Sequence, residues 1–195
     1  MAEEIFNSIK AKLNEENTLA KEVAKGKWDR KSRPFEKISS SSTIDFPELS
    51  IPEMKLLFNG SYQLAQSLCY LAEILDSDDN INIDYLKVSP NILKFKVQSR
   101  HKNSAEYKCY LDYSSNINNI EGVKRCCCSC ANGWRTTGTC CHVASIIFYL
   151  SYARYQVSVI NPFELLSHIF DVKEIEDIIP AVSDSEDSSD EDAEY

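Results

Sequence analysis

The chain of 195 residues reads as an α+β protein: a small antiparallel sheet, a cysteine hairpin packed on a C-terminal helix, an N-terminal helix and a disordered acidic tail. Three observations predict this. Leu93, Phe95 and Val97 alternate with Lys94, Lys96 and Gln98, the period of a half-buried strand. Apolar residues at helical spacing flank the strands, with Leu64, Leu68, Leu71 and Leu75 before them and Val143, Ile146, Ile147 and Leu150 after. Between these lies "CCCSCANGWRTTGTCCH", Cys126 to His142, which holds six of the eight cysteines. A hydrophobic content of 43% is enough for an ordered core.

From the N-terminus, Ile5, Ile9, Leu13, Leu19 and Val23 mark an amphipathic helix. A basic linker with Lys27, Arg30, Lys31, Arg33 and Lys37 follows, so residues 1–37 form a first segment. The run Ser39–Thr43 reads as flexible and sets a boundary before a module over residues 44–160. Ser50 and Glu53 make a capping-box pattern for a helix that Asn59-Gly60 interrupts. "INIDYL", "LKFKVQS" and "YKCYLDY" are three strands, the first two joined by a turn at Ser89-Pro90-Asn91. The cysteine segment and "HVASIIFYLSYARY" complete a finger over about 108–153. Asn161-Pro162 starts a short helical extension over 161–182, and 183–195 is the acidic tail.

The net charge of −9 misleads as a guide to partners. Seven of the 30 acids lie in the tail "SDSEDSSDEDAEY", and the remainder nearly balances the 21 bases. No stretch approaches the ~20 apolar residues of a membrane span. The acidic, amphipathic start does not look like a signal peptide, so the expected location is intracellular. In a reducing compartment, clustered cysteines bind metal more often than they form disulfides.

Side chains two apart on a strand share a face, which lets Cys128 and Cys130 aim both sulfurs at one point. Asn132-Gly133 signals a turn that tolerates positive φ. Cys140 and His142 stand where the chain enters the apolar helix; inside a helix they would face apart, so Cys140 belongs to the loop or cap and His142 to the first turn. The result is C-x-C, nine residues, then C-x-H. Three thiolates and one imidazole make a closed tetrahedral Zn²⁺ site, structural because no position is left for water. Cys126 and Cys141 are alternate ligands in a shifted register, while Cys127 points the other way. Trp134 is expected to pack under the hairpin.

This segment resembles a SWIM-type zinc finger, whose pattern is C-x-C, a spacer and C-x-H. "FPEL", "YQL", "QSRH", "CSCANGWRTTGTCCHVAS" and "YLSYAR" follow in order and are similar to the C-terminal region of Harbinger-like, transposon-derived proteins of the DDE superfamily. The resemblance spans about residues 20–160 and implies zinc at Cys128, Cys130, Cys140 and His142. It departs where Cys126 and Cys127 replace aromatic residues and Trp134 replaces a small one. The family's carboxylate triad lies in an upstream domain that has no counterpart here, so no catalysis is expected.

The implied function is a non-catalytic zinc-binding module that contacts DNA or protein in the nucleus, in a truncated transposase-derived chain. Lys94, Lys96, Arg100, Lys124 and Arg135, with Lys102, are the candidate nucleic-acid contacts. Alternatives are an accessory fragment of a DDE transposase or nuclease, or an adaptor acting through the acidic tail. Ser183, Ser185, Ser188 and Ser189 precede acids there and suit an acid-directed kinase. Neither a small-molecule substrate nor a membrane partner is expected.

Overall fold

The chain folds as α+β around a five-stranded antiparallel meander in the order β1-β2-β3-β4-β5. The structure, a computed structural model, describes residues 16–28, 34–38, 44–74, 81–99, 105–134 and 138–156. Ile5, Ile9, Leu13, Leu75, Arg100, Lys102, Arg135, the serine run, the extension at 161–182 and the acidic tail lie outside them.

The strands are β1 (Glu36–Lys37), β2 (Asp84–Ser89), β3 (Ile92–Gln98), β4 (Glu106–Tyr113) and β5 (Val123–Cys128). The two-residue β1 comes from the stretch read as linker and pairs with β2. The first of the expected strands begins later than "INIDYL" suggests and runs on to Ser89, because the turn needs only Pro90 and Asn91. β3 and β4 pair without interruption from Ile92↔Asp112 to Gln98↔Glu106. Among the described residues four α-helices accompany the sheet: α1 (Thr18–Ala24), α2 (Ile51–Leu57), α3 (Ser61–Ile74) and α4 (Cys141–Ser151).

α2 starts as its sequence requires. The Ser50 hydroxyl accepts from the Glu53 N–H, and the Glu53 carboxylate accepts from the Ser50 N–H at 2.8 Å, a complete capping box. Asn59 and Gly60 then take positive φ of 61° and 121°, which ends α2 and redirects the chain into α3. Leu64, Leu68 and Leu71 of α3 share one buried core with Val143, Ile146, Ile147 and Leu150 of α4 and with Leu93, Phe95 and Val97 of β3. α4 is buried from His142 to Ser151, so it is an interior helix with no solvent face. Each such fully buried Leu, Ile or Phe contributes about 1.5–3 kcal/mol.

The other sheet face has its own small core. Leu19 and Ala20 of α1 pack on Ile92, Tyr110 and Cys127, with Val23, Trp28 and Val88 at the margin. Asn17 caps α1 by accepting from the Ala20 N–H, and its amide donates to the Cys126 carbonyl at 2.8 Å. Arg125 ties the layers together. Its guanidinium grips Asp112 directly across the ladder, with contacts of 2.7 and 2.6 Å, and reaches Glu22 at 2.9 Å and Thr18 at 3.0 Å. Glu22 also accepts from Lys27 at 2.8 Å and from the Trp28 indole at 3.2 Å.

This layer corrects the expectation of an open basic face. Lys94 is only 6% exposed; it stands opposite Tyr110, and its ammonium lies 5.4 Å from that ring. Its long aliphatic stem allows this burial. Lys96 is half-buried, its ammonium 4.5 Å from the Phe35 ring.

Hydrogen bonds first from Lys27 and then from Arg125 hold the Glu22 carboxyl down at about 2, from an ordinary 4.5. A carboxyl lowered on folding stabilises the fold above its unfolded value and loses that effect as pH falls toward the folded one. α1 is therefore expected to loosen between about pH 4.5 and 2. In a Trp134→Phe background, Trp28 emission should shift over that range and should already be shifted at neutral pH in Glu22→Gln. An unshifted Glu22→Gln spectrum would count against this clamp.

Candidate metal centre

β5 delivers the first sulfur. Cys128 is the last strand residue, buried on the face that carries Cys109 and Leu111. The chain leaves the ladder at once: the Ser129 N–H donates to the Lys108 carbonyl at 2.9 Å, and the Ser129 hydroxyl accepts from the Lys108 N–H at 2.9 Å. Cys130 therefore lies in a turn and not on the strand, which corrects the same-face argument for its position. Turning brings the sulfurs together instead. The Cys130 N–H points at Cys128 Sγ over 3.4 Å, and the Asn132 N–H donates to the Cys130 sulfur.

The turn closes by two backbone hydrogen bonds. Cys128 N–H donates to the Gly133 carbonyl at 2.9 Å, and Gly133 N–H to the Cys130 carbonyl at 3.0 Å. Neither Asn132 nor Gly133 has positive φ, contrary to the turn type expected. Glycine is needed for space: a Cβ at 133 would stand 2.1 Å from the Cys128 carbonyl oxygen.

The other half of the centre comes from the start of α4. Cys140 is the N-cap, extended at φ −78°, ψ 162°, and its carbonyl accepts from the Ala144 N–H at 2.9 Å. Its side chain makes no capping hydrogen bond, so the sulfur remains available. His142 follows in the first turn, as the spacing predicts. Its ring is held edge-on to Tyr70 at 5.2 Å and tilted on Tyr107 at 4.8 Å. Tyr70 is fixed in turn by donating to the Gln98 carbonyl.

One donor atom from each of Cys128, Cys130, Cys140 and His142 lies within 4.8 Å of all the others. A tetrahedral zinc shell with bonds of ~2.0–2.3 Å would place its donors about 3.3–3.8 Å apart, so a small contraction closes the set on an ion. The His142 Nδ1 is buried and has no hydrogen-bond partner in the protein. The one imidazole of the donor set thus keeps a buried ring nitrogen that no group of the protein satisfies.

Electrostatics gives the cluster a direction. Hydrogen bonds from Cys128, then Cys140, and further from His142 and the Asn132 N–H push the Cys130 thiol far down. Cys128 is pushed up, first by Cys109 and then by Cys130, and Cys140 is pushed up by Cys128 and Cys130. Hydrogen bonding among the three sulfurs thus favours ionisation at Cys130 and opposes it at Cys128 and Cys140. A dication is what would support all three as thiolates, with release of the remaining protons.

The alternate ligands stay outside the quartet. Cys126 sits two residues back along β5, about 6.6 Å upstream at the usual strand rise, packed on the core with its thiol pushed up to about 12 by burial. Cys141 begins α4 and is rotated about 100° from its helical neighbour His142. Cys127 points into the α1 core, as expected from strand alternation. Trp134 is 55% exposed and does not pack under the hairpin, which corrects the expectation. Lys124 is exposed: the ladder shifts between Asp112 and Tyr113 and leaves it unpaired. Arg100 and Arg135 lie outside the described residues, so of the candidate basic contacts only Lys124 and part of Lys96 are open.

Sequence reasoning missed Cys109, which is fully buried opposite Cys128 and shares a hydrogen bond with its sulfur. Burial pushes its thiol up to about 11. Alternation in "YKCYLDY" places it on the inner face, but only the β4–β5 register pairs it with a ligand. No family model, no curated protein and no solved structure matches this chain.

Gly133→Ala is expected to destabilise the folded chain by about 1–3 kcal/mol, because the added carbon must displace the Cys128 carbonyl. Thermal unfolding checks this, with Gly26→Ala as the control that has open space around it but carries the strain of a positive φ.

Proposed function

We propose that the chain is a SWIM-type zinc-binding module, non-catalytic, that mediates contact with DNA or protein. The observation that carries the proposal is the convergence of Cys128, Cys130, Cys140 and His142. Three sulfurs with one imidazole suit zinc by ligand softness and number. Four protein ligands fill a tetrahedral shell and leave no place for a reacting water, so the role of the ion is structural. The motif order set out above supports a Harbinger-like, transposon-derived origin and a nuclear site of action as part of the same proposal. Among the described residues no helix is long and apolar enough to cross a membrane.

Bound zinc would join the end of β5 to the start of α4. Apparent zinc energies of ~10–16 kcal/mol in small fingers exceed what one tight turn draws from its own contacts. Protein purified under reducing conditions should carry one zinc per chain by elemental analysis. Cys140→Ser should lose it, whereas Cys126→Ser and Cys141→Ser should keep it. Absence of stoichiometric zinc from the wild type would end the proposal. Chelation should open residues 128–142 to protease while Trp134, already exposed, changes little.

For the partner, the open lysines among the candidate contacts set the scale. Each phosphate contact adds about 0.9 to the slope of log affinity against log salt on duplex DNA. Lys124 and Lys96 alone would give a slope near 1–2, which Lys124→Glu should reduce by about one contact. Binding that is absent even at low salt would leave protein as the partner.

A further inference from the structure

One sulfur beside the metal centre is not used by it. Cys109 of β4 is the ladder partner of Cys128, and both side chains lie on the inner face with 0% and 1% exposure. The kind of pairing decides what they can do. Lys108 and Ser129 flank this pair, and the Ser129 N–H donates to the Lys108 carbonyl at 2.9 Å. Cys109 and Cys128 are therefore a non-hydrogen-bonded antiparallel pair, the closer of the two types, with Cα atoms about 4.5 Å apart. That separation lies within the roughly 4.4–6.8 Å that a disulfide spans. Their sulfurs are already in hydrogen-bond contact.

We propose that Cys109 and Cys128 form an oxidation site, closing a cross-strand disulfide that removes Cys128 from the metal shell. The proposal rests on the zinc reading of the quartet. With hydrogen peroxide as oxidant, two S–H bonds break and one S–S bond forms. The O–O bond takes up the two electrons and two protons and leaves as two waters. If Cys128 begins as the zinc-bound thiolate, one oxygen leaves as hydroxide and Zn²⁺ departs.

Access runs through Cys130, partly exposed where Cys128 and Cys140 are buried. Its sulfur takes one oxygen from peroxide; Cys128 condenses with the sulfenic acid and expels water, and Cys109 displaces Cys130 as a thiol. The final pair is favoured by the backbone. The β4–β5 ladder holds Cys109 and Cys128 in register whatever the metal does, whereas Cys130 sits in a tight turn and Cys140 on a separate element. Oxidation would leave three ligands at the site and a covalent link between β4 and β5.

The test uses the zinc-loaded full chain, treated with hydrogen peroxide, alkylated and digested with trypsin. The expected product joins the peptide of residues 109–124 to that of 126–135 through Cys109 and Cys128, two hydrogen masses below the sum, with zinc released to a chromogenic chelator. Cys109→Ser should bind the same equivalent of zinc and release it at least tenfold more slowly. Linkage confined to Cys128, Cys130 and Cys140 in the wild type, or unaltered release from Cys109→Ser, would overturn the proposal. If the chain carries no zinc, the zinc reading fails separately. The oxidised metal-free chain then decides the disulfide alone, and absence of the linked peptide there overturns it too.

Discussion

Burial of α4 is the constraint on which the rest of the structure depends. Ten consecutive residues, His142 to Ser151, are shut away from solvent, so the helix must be covered all round. α3 covers one side, and β4 and β5 touch another. Even its polar groups face inward: the Ser145 hydroxyl points at the Cys141 and Ser67 carbonyls at 2.7 and 3.0 Å, joining α4 to α3. A helix fixed in this way has its N-terminus fixed as well. Cys140 and His142 are carried to the end of β5 because their helix has nowhere else to pack.

The cluster formed there is costly to hold without a cation. Three sulfurs within a few ångströms cannot all ionise, and a buried ring nitrogen without a partner loses its hydrogen bond to water. Neighbours reduce that cost only in part. N–H groups of Cys130 and Asn132 point at sulfurs. Such outer contacts commonly orient metal ligands. The centre and its surroundings are consistent with one design: a turn, a cap and a strand end arranged around a positive charge.

On the opposite sheet face, charge serves cohesion more than recognition. Arg125, flanked by Asp112 and Glu22, is committed to joining β4, β5 and α1. Lys94 lies along Tyr110 and Lys96 beside Phe35. A sequence rich in lysine at alternating positions thus yields a face whose cations are mostly engaged within the fold.

What the sequence by itself determined was local. The capping box at Ser50 and Glu53, the break at Asn59-Gly60, the alternation of β3, and the cap-then-helix placement of Cys140 and His142 all depend on residues within a few positions of each other. The four donors were legible because C-x-C and C-x-H each bring two ligands together, although the first pair does so through a turn and not along the strand its spacing suggests. Tertiary structure decided what depends on distant partners. Gly133 is required by the carbonyl of Cys128 and not by its own φ. Lys94 is buried by a ring on the neighbouring strand, and Cys109 acquires its significance only from register. Periodicity says which face a side chain takes; what covers that face, and which sulfur stands opposite, is set by long-range packing that no local pattern encodes.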